Sequence, residues 1–321
     1  MPARRYHEET DARVGGTGVG GELDENVKVA VFGETLVDEF PDRSVLGGAP
    51  FNVAYHLKHL GLEPVLVTRV GRDEYGERLW NAIRTAGMDT RGVQRDPVLP
   101  TGRVRVTFDD GGHRFEILEN QAYDAIDCFH AAAAVRAAQP RLVYFGTLAQ
   151  RSERSRAALD ATLNATHSFC WLDINLRAPF DGKDVILRSL EMADDLKLND
   201  DELGIVAGRL DLPGTDPELH VAELIKRFDL RCVTVTCGAR GAWSLDVDGN
   251  HARVEGRPLD GPLVDTVGAG DGFAAVSIAG FIRDWTPQQT LERADAFARR
   301  LCLVRGAIPD EEWTGFQDLQ D

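Results

Sequence analysis

The sequence lacks long hydrophobic runs and a regular set of cysteines. Its longest apolar stretches, such as Phe273 to Ile282, fall well short of the ~20 residues that span a bilayer, so no transmembrane helix is predicted. Five cysteines stand at scattered positions, and this odd number argues against a disulfide framework or a zinc site. We therefore expect a protein of the reducing cytoplasm.

Positive charge is also scarce. Lys and Arg number 36 against 52 Asp and Glu, which gives a formal net charge of −16. Such a surface repels nucleic acid phosphates and anionic lipid, so neither partner is expected. The excess of acid favours solubility in general, and a high-salt habitat is the alternative explanation. Any phosphate that the chain handles must be held by backbone dipoles, a few placed cations or a metal ion.

Residues 1–26 differ in composition from the rest of the chain. They are polar and Gly-rich without apolar periodicity, which predicts a disordered tail. Gly16, Gly18 and Gly21 in this tail satisfy G-x-G-x-x-G, but no predicted strand precedes them, so a dinucleotide site is not expected. Hydrophobic residues make up 43% of the 321, enough for a sizeable core over the remaining chain.

Strands alternate with helices along this remaining chain. Short apolar runs at Val27–Glu34 and Pro64–Gly71 predict buried strands, and the segment between them predicts a helix that begins near Pro50. The pattern recurs, with further helices near 74–86, 128–138, 153–163 and 221–228. This alternation predicts an α/β fold, in which a mostly parallel central sheet forms the middle of three αβα layers.

Two stretches break this alternation. Residues 101–118 alternate apolar and polar side chains around an Asp-Asp-Gly-Gly turn, which predicts a hairpin, and residues 36–45 are expected to be extended. Such strands fit poorly inside a parallel sheet. We predict that they form a small β lid over the carboxyl ends of the strands, where open α/β sheets bind ligands. A plain surface hairpin is the alternative.

The segment from Asp265 to Phe273, DTVGAGDGF, carries the strongest chemical signal and precedes an apolar helix. Gly268, Ala269 and Gly270 leave the backbone N–H groups at the helix start unobstructed, so an anion can approach them without help from Lys or Arg. Asp271 would lie beside a bound phosphoryl group, where phosphoryl transfer to a hydroxyl requires a base. A simple partner of the helix dipole is the alternative role for this carboxylate.

The motif D-T-x-G-A-G-D does not stand alone. With the paired glycines Gly47-Gly48, Asn52 after the first strand, and Asn199-x-x-Glu202 after a later one, it resembles the ribokinase-like (PfkB) carbohydrate kinase family from about residue 27 to 315. The resemblance implies a ribokinase-like fold, transfer of the γ-phosphoryl of ATP to a sugar, Mg²⁺ as a cofactor with K⁺ as a further candidate, and a homodimer formed through the lid. No Walker A sequence is present.

The resemblance also implies roles for individual residues. Asp271 matches the catalytic base, and Gly268, Ala269 and Gly270 match the hole that stabilises the transferring phosphoryl group. On the sugar side, the matching residues are Asp38, Gly48 and Asn52, with Arg103 of the lid as a further contact. Asn199 and Glu202 match the pair that organises Mg²⁺ through its water shell. The expected nucleotide site adds Asn175, Thr236, Gly238, Gly241 and Ala307.

Two further positions have open interpretations. Asp265 stands where the family helps to hold an activating monovalent cation, and a turn-forming role is the alternative. Asp173, Asn175 and Arg177 follow strand alternation, so all three are expected to face the cleft. Arg177 is our candidate for the cation that an acidic ATP-binding protein needs, with a surface salt bridge as the alternative.

The acceptor is the least determined part. Leu36, two residues before Asp38, and Ala49-Pro50 depart from ribokinases proper and weaken a ribose assignment, whereas GGAPFNVA and G-E-x-L-x-D resemble fructokinases. Fructose is therefore the leading acceptor. The alternatives are 2-keto-3-deoxygluconate, a ribose-like sugar, a nucleoside, or a catalytically silent sugar or nucleotide sensor. An intact Asp271 argues against the sensor.

Overall fold

A computed structural model describes residues 27–109, 112–309 and 313–319. Within them, nine strands form one sheet in the order β13-β12-β11-β10-β9-β8-β1-β4-β5, in which all strands run parallel except β12, which is antiparallel to both of its neighbours. Its strands are β1 (Lys28–Phe32), β4 (Glu63–Gly71), β5 (Val93–Asp96), β8 (Leu142–Phe145), β9 (Phe169–Asp173), β10 (Asp195–Asn199), β11 (Cys232–Thr236), β12 (Gly241–Asp246) and β13 (His251–Glu255).

Helices cover both faces of this sheet. Alternate residues of β1 enter two separate cores: Val29 and Val31 pack on one side and Ala30 and Phe32 on the other. The first core is covered by α1 (Ala49–His59), α2 (Glu74–Thr85), α8 (Ala269–Ile282) and α9 (Pro287–Leu301), and the second by α3 (Cys128–Ala138), α4 (Glu153–Asn164), α5 (Lys183–Met192), α6 (Asp200–Arg209) and α7 (Pro217–Phe228). The predicted three-layer αβα fold is confirmed.

The two stretches that break the alternation form a second sheet, which we call the lid sheet. It comprises β2 (Leu36–Glu39), β3 (Ser44–Gly47), β6 (Gly102–Asp109) and β7 (Gly112–Ile117), in the order β3-β2-β6-β7. The predicted hairpin is present, and it pairs Val104 with Ile117 through to Asp109 with Gly112. Residues 110 and 111 of its turn lie outside the described residues, as does the predicted tail at 1–26.

The parallel strands bring their carboxyl ends to one edge of the large sheet. Gly33 follows β1 and leads directly into the lid strand β2, while β9, β10 and β11 end at Asp173, Asn199 and Thr236. The first residues after neighbouring strands therefore line one cleft edge beneath the lid sheet. No helix within the described part of the chain is long and apolar enough to cross a membrane, and all five cysteines are free thiols.

Candidate active site

Helix α8 begins in a backbone conformation that only glycine adopts easily. Gly268 is its N-cap with φ +80°, and a Cβ at this position would overlap the Cα and Cβ of Ala307. The backbone amides of Gly270 and Asp271 donate to no group among the described residues, as expected for a first helical turn. This helix start thus offers unpartnered N–H donors and the positive end of the helix dipole to an anion.

Asp271 is held beside these amides by a residue from another element. Asn52, a buried residue of α1, donates from Nδ2 to Asp271 Oδ2 at 2.8 Å. The predicted base and one predicted sugar-binding residue therefore meet directly. This hydrogen bond constrains the orientation of the carboxylate.

Burial dominates the titration of the carboxyl groups in this cleft. Desolvation raises the pKa of Asp271 to about 6, and the Asn52 hydrogen bond opposes the increase. Desolvation likewise raises the pKa of Asp38 to about 6 and that of Glu34 to about 7, while the Arg177 guanidinium pulls both downward. A base with a pKa near neutrality suits proton abstraction at physiological pH.

Arg177 is exposed and acts electrostatically on Glu34, Asp38 and Asp271 together. Its Nη1 donates to the carbonyl of Leu176 at 2.9 Å, and no carboxylate of the described residues forms an ion pair with it. The structure thus brings this predicted cation to the cleft, although not through the predicted strand geometry. Strand β9 ends at Asp173, and Asn175 adopts φ +41°. The predicted alternation over Asp173, Asn175 and Arg177 is therefore wrong.

Asp173 instead forms a buried ion pair that the sequence analysis missed. Lys197 Nζ lies 3.0 Å from both carboxylate oxygens of Asp173, and the two residues are 6% and 1% exposed. Tyr144 Oη donates to Asp173 at 3.4 Å. The signal was available, because a lysine inside the apolar strand β10 must find a partner when it is buried.

Asn199 and Glu202 form the capping box of α6. Asn199 Oδ1 accepts from the Glu202 N–H at 2.8 Å, and Glu202 Oε2 accepts from the Asn199 N–H at 2.9 Å. The second oxygen, Oε1, accepts from the Leu176 N–H at 2.8 Å. Each oxygen keeps a lone pair, so the rigid carboxylate fits the outer shell of a hydrated Mg²⁺, which retains most of its waters. The described residues hold no cluster of three metal-ligating side chains.

Asp265 ties two loops together. Its Oδ1 accepts from the Val267 N–H at 3.1 Å and its Oδ2 accepts from the Gly306 N–H at 3.0 Å. These bonds fix the loop before α8 against the loop that carries Ala307. The turn-forming role is thus visible, whereas the role in binding a monovalent cation stays a prediction.

The predicted nucleotide residues lie further along the same edge. Thr236 ends β11, and Gly238 and Gly241 flank the turn into β12 with φ +56° and +95°. A Cβ on Gly241 would overlap the Val254 carbonyl oxygen of β13, so this glycine is required by the edge hairpin itself. Ala307 is buried against Gly268, so this predicted nucleotide residue packs directly on the start of α8.

The residues predicted to bind the sugar do not all lie on one face of the lid sheet. Gly48 has φ +104°, and its missing Cβ lets the chain pass close to the Glu34 carbonyl oxygen. Asp38 pairs with Val104 across the sheet, whereas Arg103 pairs with Val37. Because successive strand residues face opposite ways, Arg103 points away from the face of Asp38. Its Nη1 lies 3.9 Å from Glu39.

Comparisons with known proteins identify the family and the fold of this chain. The pattern of the pfkB family carbohydrate kinases matches residues 23–314. The chain is 29% identical to the fructokinase of Klebsiella pneumoniae over 297 residues, which cover 88% of this chain and 93% of that protein.

Two solved structures share the fold. A putative ribokinase II of E. coli in complex with ATP and Mg²⁺ superposes with a TM-score of 0.75 at 22% identity, over 88% of this chain and 94% of that one. The fructokinase of Vibrio cholerae O395, bound to fructose, ADP and calcium ion, gives a TM-score of 0.75 at 21% identity, over 93% and 100%. With its family pattern matched over nearly its whole length, this chain belongs to the pfkB family of carbohydrate kinases.

Proposed function

We propose that this protein transfers the γ-phosphoryl group of ATP to a hydroxyl of a sugar, with fructose as the leading acceptor. The observation that carries this proposal is the position of Asp271. Its carboxylate is oriented by Asn52 at 2.8 Å and stands in the same helical turn as the unpartnered amides of Gly270 and Asp271. A base and an anion hole are thus placed side by side, which is what phosphoryl transfer to a hydroxyl needs.

The transfer proceeds in line. Asp271 accepts the proton of the sugar hydroxyl while the oxygen of that hydroxyl forms the new bond to the γ-phosphorus. The bond from that phosphorus to the bridging oxygen breaks, and its electron pair leaves with ADP. The amides of Gly270 and Asp271 donate to the phosphoryl oxygens during the transfer, and they need no reorganisation because the helix already fixes them.

The nucleotide lies along the ends of β10 and β11 in this proposal. Thr236, Gly238, Gly241 and Ala307 border it, and Asn175 lies at the neighbouring strand end. Asn199 and Glu202 hold the waters of Mg²⁺, which when bound neutralises charge on the phosphates. The capping box supports this role, because it holds Glu202 rigid while lone pairs remain for water.

Fructose is supported by the relatives and by the residues around the sugar site. The Klebsiella protein at 29% identity is a fructokinase, and the Vibrio structure contains fructose. Asp38 reaches the cleft from β2 beside Gly47, where a short carboxylate can accept from two neighbouring hydroxyls. A structure described as a putative ribokinase II shares the fold, so the fold is not an argument for fructose.

A coupled assay of ADP release over a panel of sugars tests the proposal. The panel contains fructose, ribose, 2-keto-3-deoxygluconate and a nucleoside, each with ATP and Mg²⁺. We expect the highest kcat/KM with fructose and a product that carries one phosphate by mass spectrometry. A higher kcat/KM with another member would reassign the acceptor, and ADP release that no acceptor stimulates would contradict the kinase.

A further inference from the structure

Lys197 has one more hydrogen-bond donor than its partner uses. An ammonium group carries three N–H donors, and among the described residues the only acceptors for Lys197 are the two oxygens of Asp173. The side chain is 7% exposed, so water does not readily satisfy the third donor. Packing alone does not explain a lysine at this buried position, because an apolar side chain fills the same space without the free-energy cost of desolvating a charge.

The ammonium lies beside the anion hole. Its Nζ is 3.6 Å from the point where a Cβ on Gly270 would stand, and Gly270 is an exposed residue of the first turn of α8. The absence of a side chain at 270 therefore leaves the space between Lys197 and the amide donors open. The position of Asp173 beside Lys197 is fixed by strand pairing, because the two residues are register partners on β9 and β10.

We propose that Lys197 is a further catalytic residue. Its ammonium, held by Asp173, donates its third N–H to an oxygen of the phosphoryl group during transfer. This proposal rests on the proposed function. Lys197 stays protonated throughout, and the proton of the sugar hydroxyl still goes to Asp271. The acidic chain thereby supplies one fixed positive charge at the point where negative charge develops.

The same ammonium acts on the base. Lys197 lowers the pKa of Asp271, and Asp271 in turn helps to keep Lys197 charged. The groups that face Asp271 from the elements packed around it are Asn52 of α1, Tyr144 of β8, Asp173 of β9, Lys197 of β10, and Arg177 and Glu34 at the cleft edge. Loss of Lys197 alone removes one of the two cations in this set.

Two variants that differ only in the ammonium test the proposal. Asp173→Asn keeps Lys197 and replaces its counter-charge by an amide, while the double variant Asp173→Asn/Lys197→Met removes both charges and leaves no buried ion unpaired. Lys58→Met is the matched control, because Lys58 pairs with Glu63 at 2.6 Å outside the cleft. If the double variant does not fold, Asp173→Asn/Lys197→Gln replaces it with two amides that can bond to each other.

Turnover is the first readout. We expect kcat of the double variant to fall about 10²–10³-fold below that of Asp173→Asn, the usual loss for one preorganised donor, with the sugar KM unchanged. The acidic limb of its pH profile should move to higher pH, because Asp271 loses a neighbouring cation. Lys58→Met should match the wild type in both measurements. Equal turnover and equal pH limbs in the two Asp173 variants would make Lys197 a structural residue and overturn the proposal.

Nucleotide affinity is the second readout and does not depend on the sugar. By calorimetry we expect the double variant to bind a non-hydrolysable ATP analogue more weakly than Asp173→Asn does, while both bind ADP equally. Equal affinity for the analogue would contradict a contact with the terminal phosphoryl group. A wild type that binds nucleotide but phosphorylates no sugar would instead contradict the proposed function, and the calorimetric comparison would still decide the role of Lys197.

Discussion

The start of α8 and the lid sheet supply different parts of the proposed site and are held in different ways. Gly268 packs directly on Ala307, Asp265 bonds to Gly306, and Asn52 fixes Asp271, so the helix start is constrained by close contacts and part-buried hydrogen bonds. The lid hairpin carries the ion pair of Arg105 and Glu116, whose side chains are 49% and 59% exposed. Exposed ion pairs contribute little to stability.

This difference assigns two tasks to two regions. The phosphoryl-transfer side must present its donors in one geometry, because a displaced donor loses most of its effect on the transition state. In the proposed reaction the lid side opens for the sugar and closes over it, and such a movement needs contacts that contribute little to stability. Acceptor choice is therefore expected to depend on the lid sheet, and the rate of transfer on the start of α8.

The largest effect is expected from breaking the constrained side. Gly268→Ala places a Cβ on top of Ala307 and strains the backbone at φ +80°, at a cost of at least ~1–3 kcal/mol in the free energy of unfolding. Displacement of the amide donors should lower kcat by more than about 100-fold.

Gly214→Ala provides the matched control for this variant. Gly214 has a similar φ of +77°, but a Cβ there meets nothing within 4 Å. Gly214→Ala should therefore strain the backbone without any overlap of the new Cβ with neighbouring atoms, and it should retain turnover. Equal losses of kcat in the two variants would contradict the close approach of Gly268 and Ala307 as the cause.

The next effect separates the sugar from the nucleotide. Asp38→Ala should raise the sugar KM about 10–100-fold, because hydroxyl groups that lose a buried charged partner forfeit roughly 1.5–3 kcal/mol. Affinity for ATP, measured by calorimetry, should not change. Asp42→Ala in the exposed turn between β2 and β3 is the control and should leave both values intact. Parallel losses for sugar and nucleotide would place Asp38 in the scaffold.

A smaller effect concerns stability on the constrained side. His56 of α1 is fully buried against Phe297 and Phe316, and desolvation lowers its pKa to about 3. As pH falls below 6.5, the unfolded chain binds a proton that the native state refuses, so stability is lost at 1.36 kcal/mol per pH unit, about 2 kcal/mol at pH 5. The buried carboxyl groups with raised pKa produce the opposite slope.

Urea denaturation at pH 7.5 and pH 5 isolates the contribution of His56. His56→Leu should remove it, so that the difference in unfolding free energy between variant and wild type shifts by about 2 kcal/mol over this range. Leu57→Ala, which removes no titratable group from the same buried helix, should show no such shift. A pH-independent difference for His56→Leu would contradict a buried neutral histidine.

The smallest effect is expected in the lid. Saturating fructose should slow hydrogen exchange in residues 101–118, because closure excludes water from the cleft and completes the sugar contacts. The edge hairpin β12–β13 lies at the far end of the large sheet and should exchange at the same rate with and without sugar. A shortened β6–β7 hairpin should raise ATP hydrolysis relative to transfer. Unchanged hydrogen exchange at 101–118 would contradict the lid and favour the alternative, a plain surface hairpin.

The secondary-structure elements differ in how well the sequence predicts them. Local patterns predicted β1, α1, the lid hairpin and α8, because turn residues, caps and apolar periodicity act over short distances. Helices α6 and α9 and the strand β13 were not predicted, and neither were helix α5 and the edge strand β5. The segments of α5 and β5, 183–192 and 93–96, are short and flanked by weak signals.

The site could be predicted only where a motif carries its own geometry. The glycines before Asp271 did so, since a left-handed N-cap needs glycine wherever it occurs. The pair of Lys197 and Asp173 depends on two strands 24 positions apart, and alternation beyond Asp173 failed because β9 ends there. Long-range pairing of this kind appears only once the sheet order is known.

Turnover of Asp271→Asn tests the central claim most directly. With saturating fructose, ATP and Mg²⁺, kcat should fall about 10²–10⁴-fold, the usual range for a positioned base, while the thermal midpoint and the affinity for ATP stay at wild-type values. The wild-type rate should also decline below about pH 6, where Asp271 takes up a proton. Near-normal turnover in this variant would contradict the assignment of Asp271 as the base and, with it, the role of the α8 start.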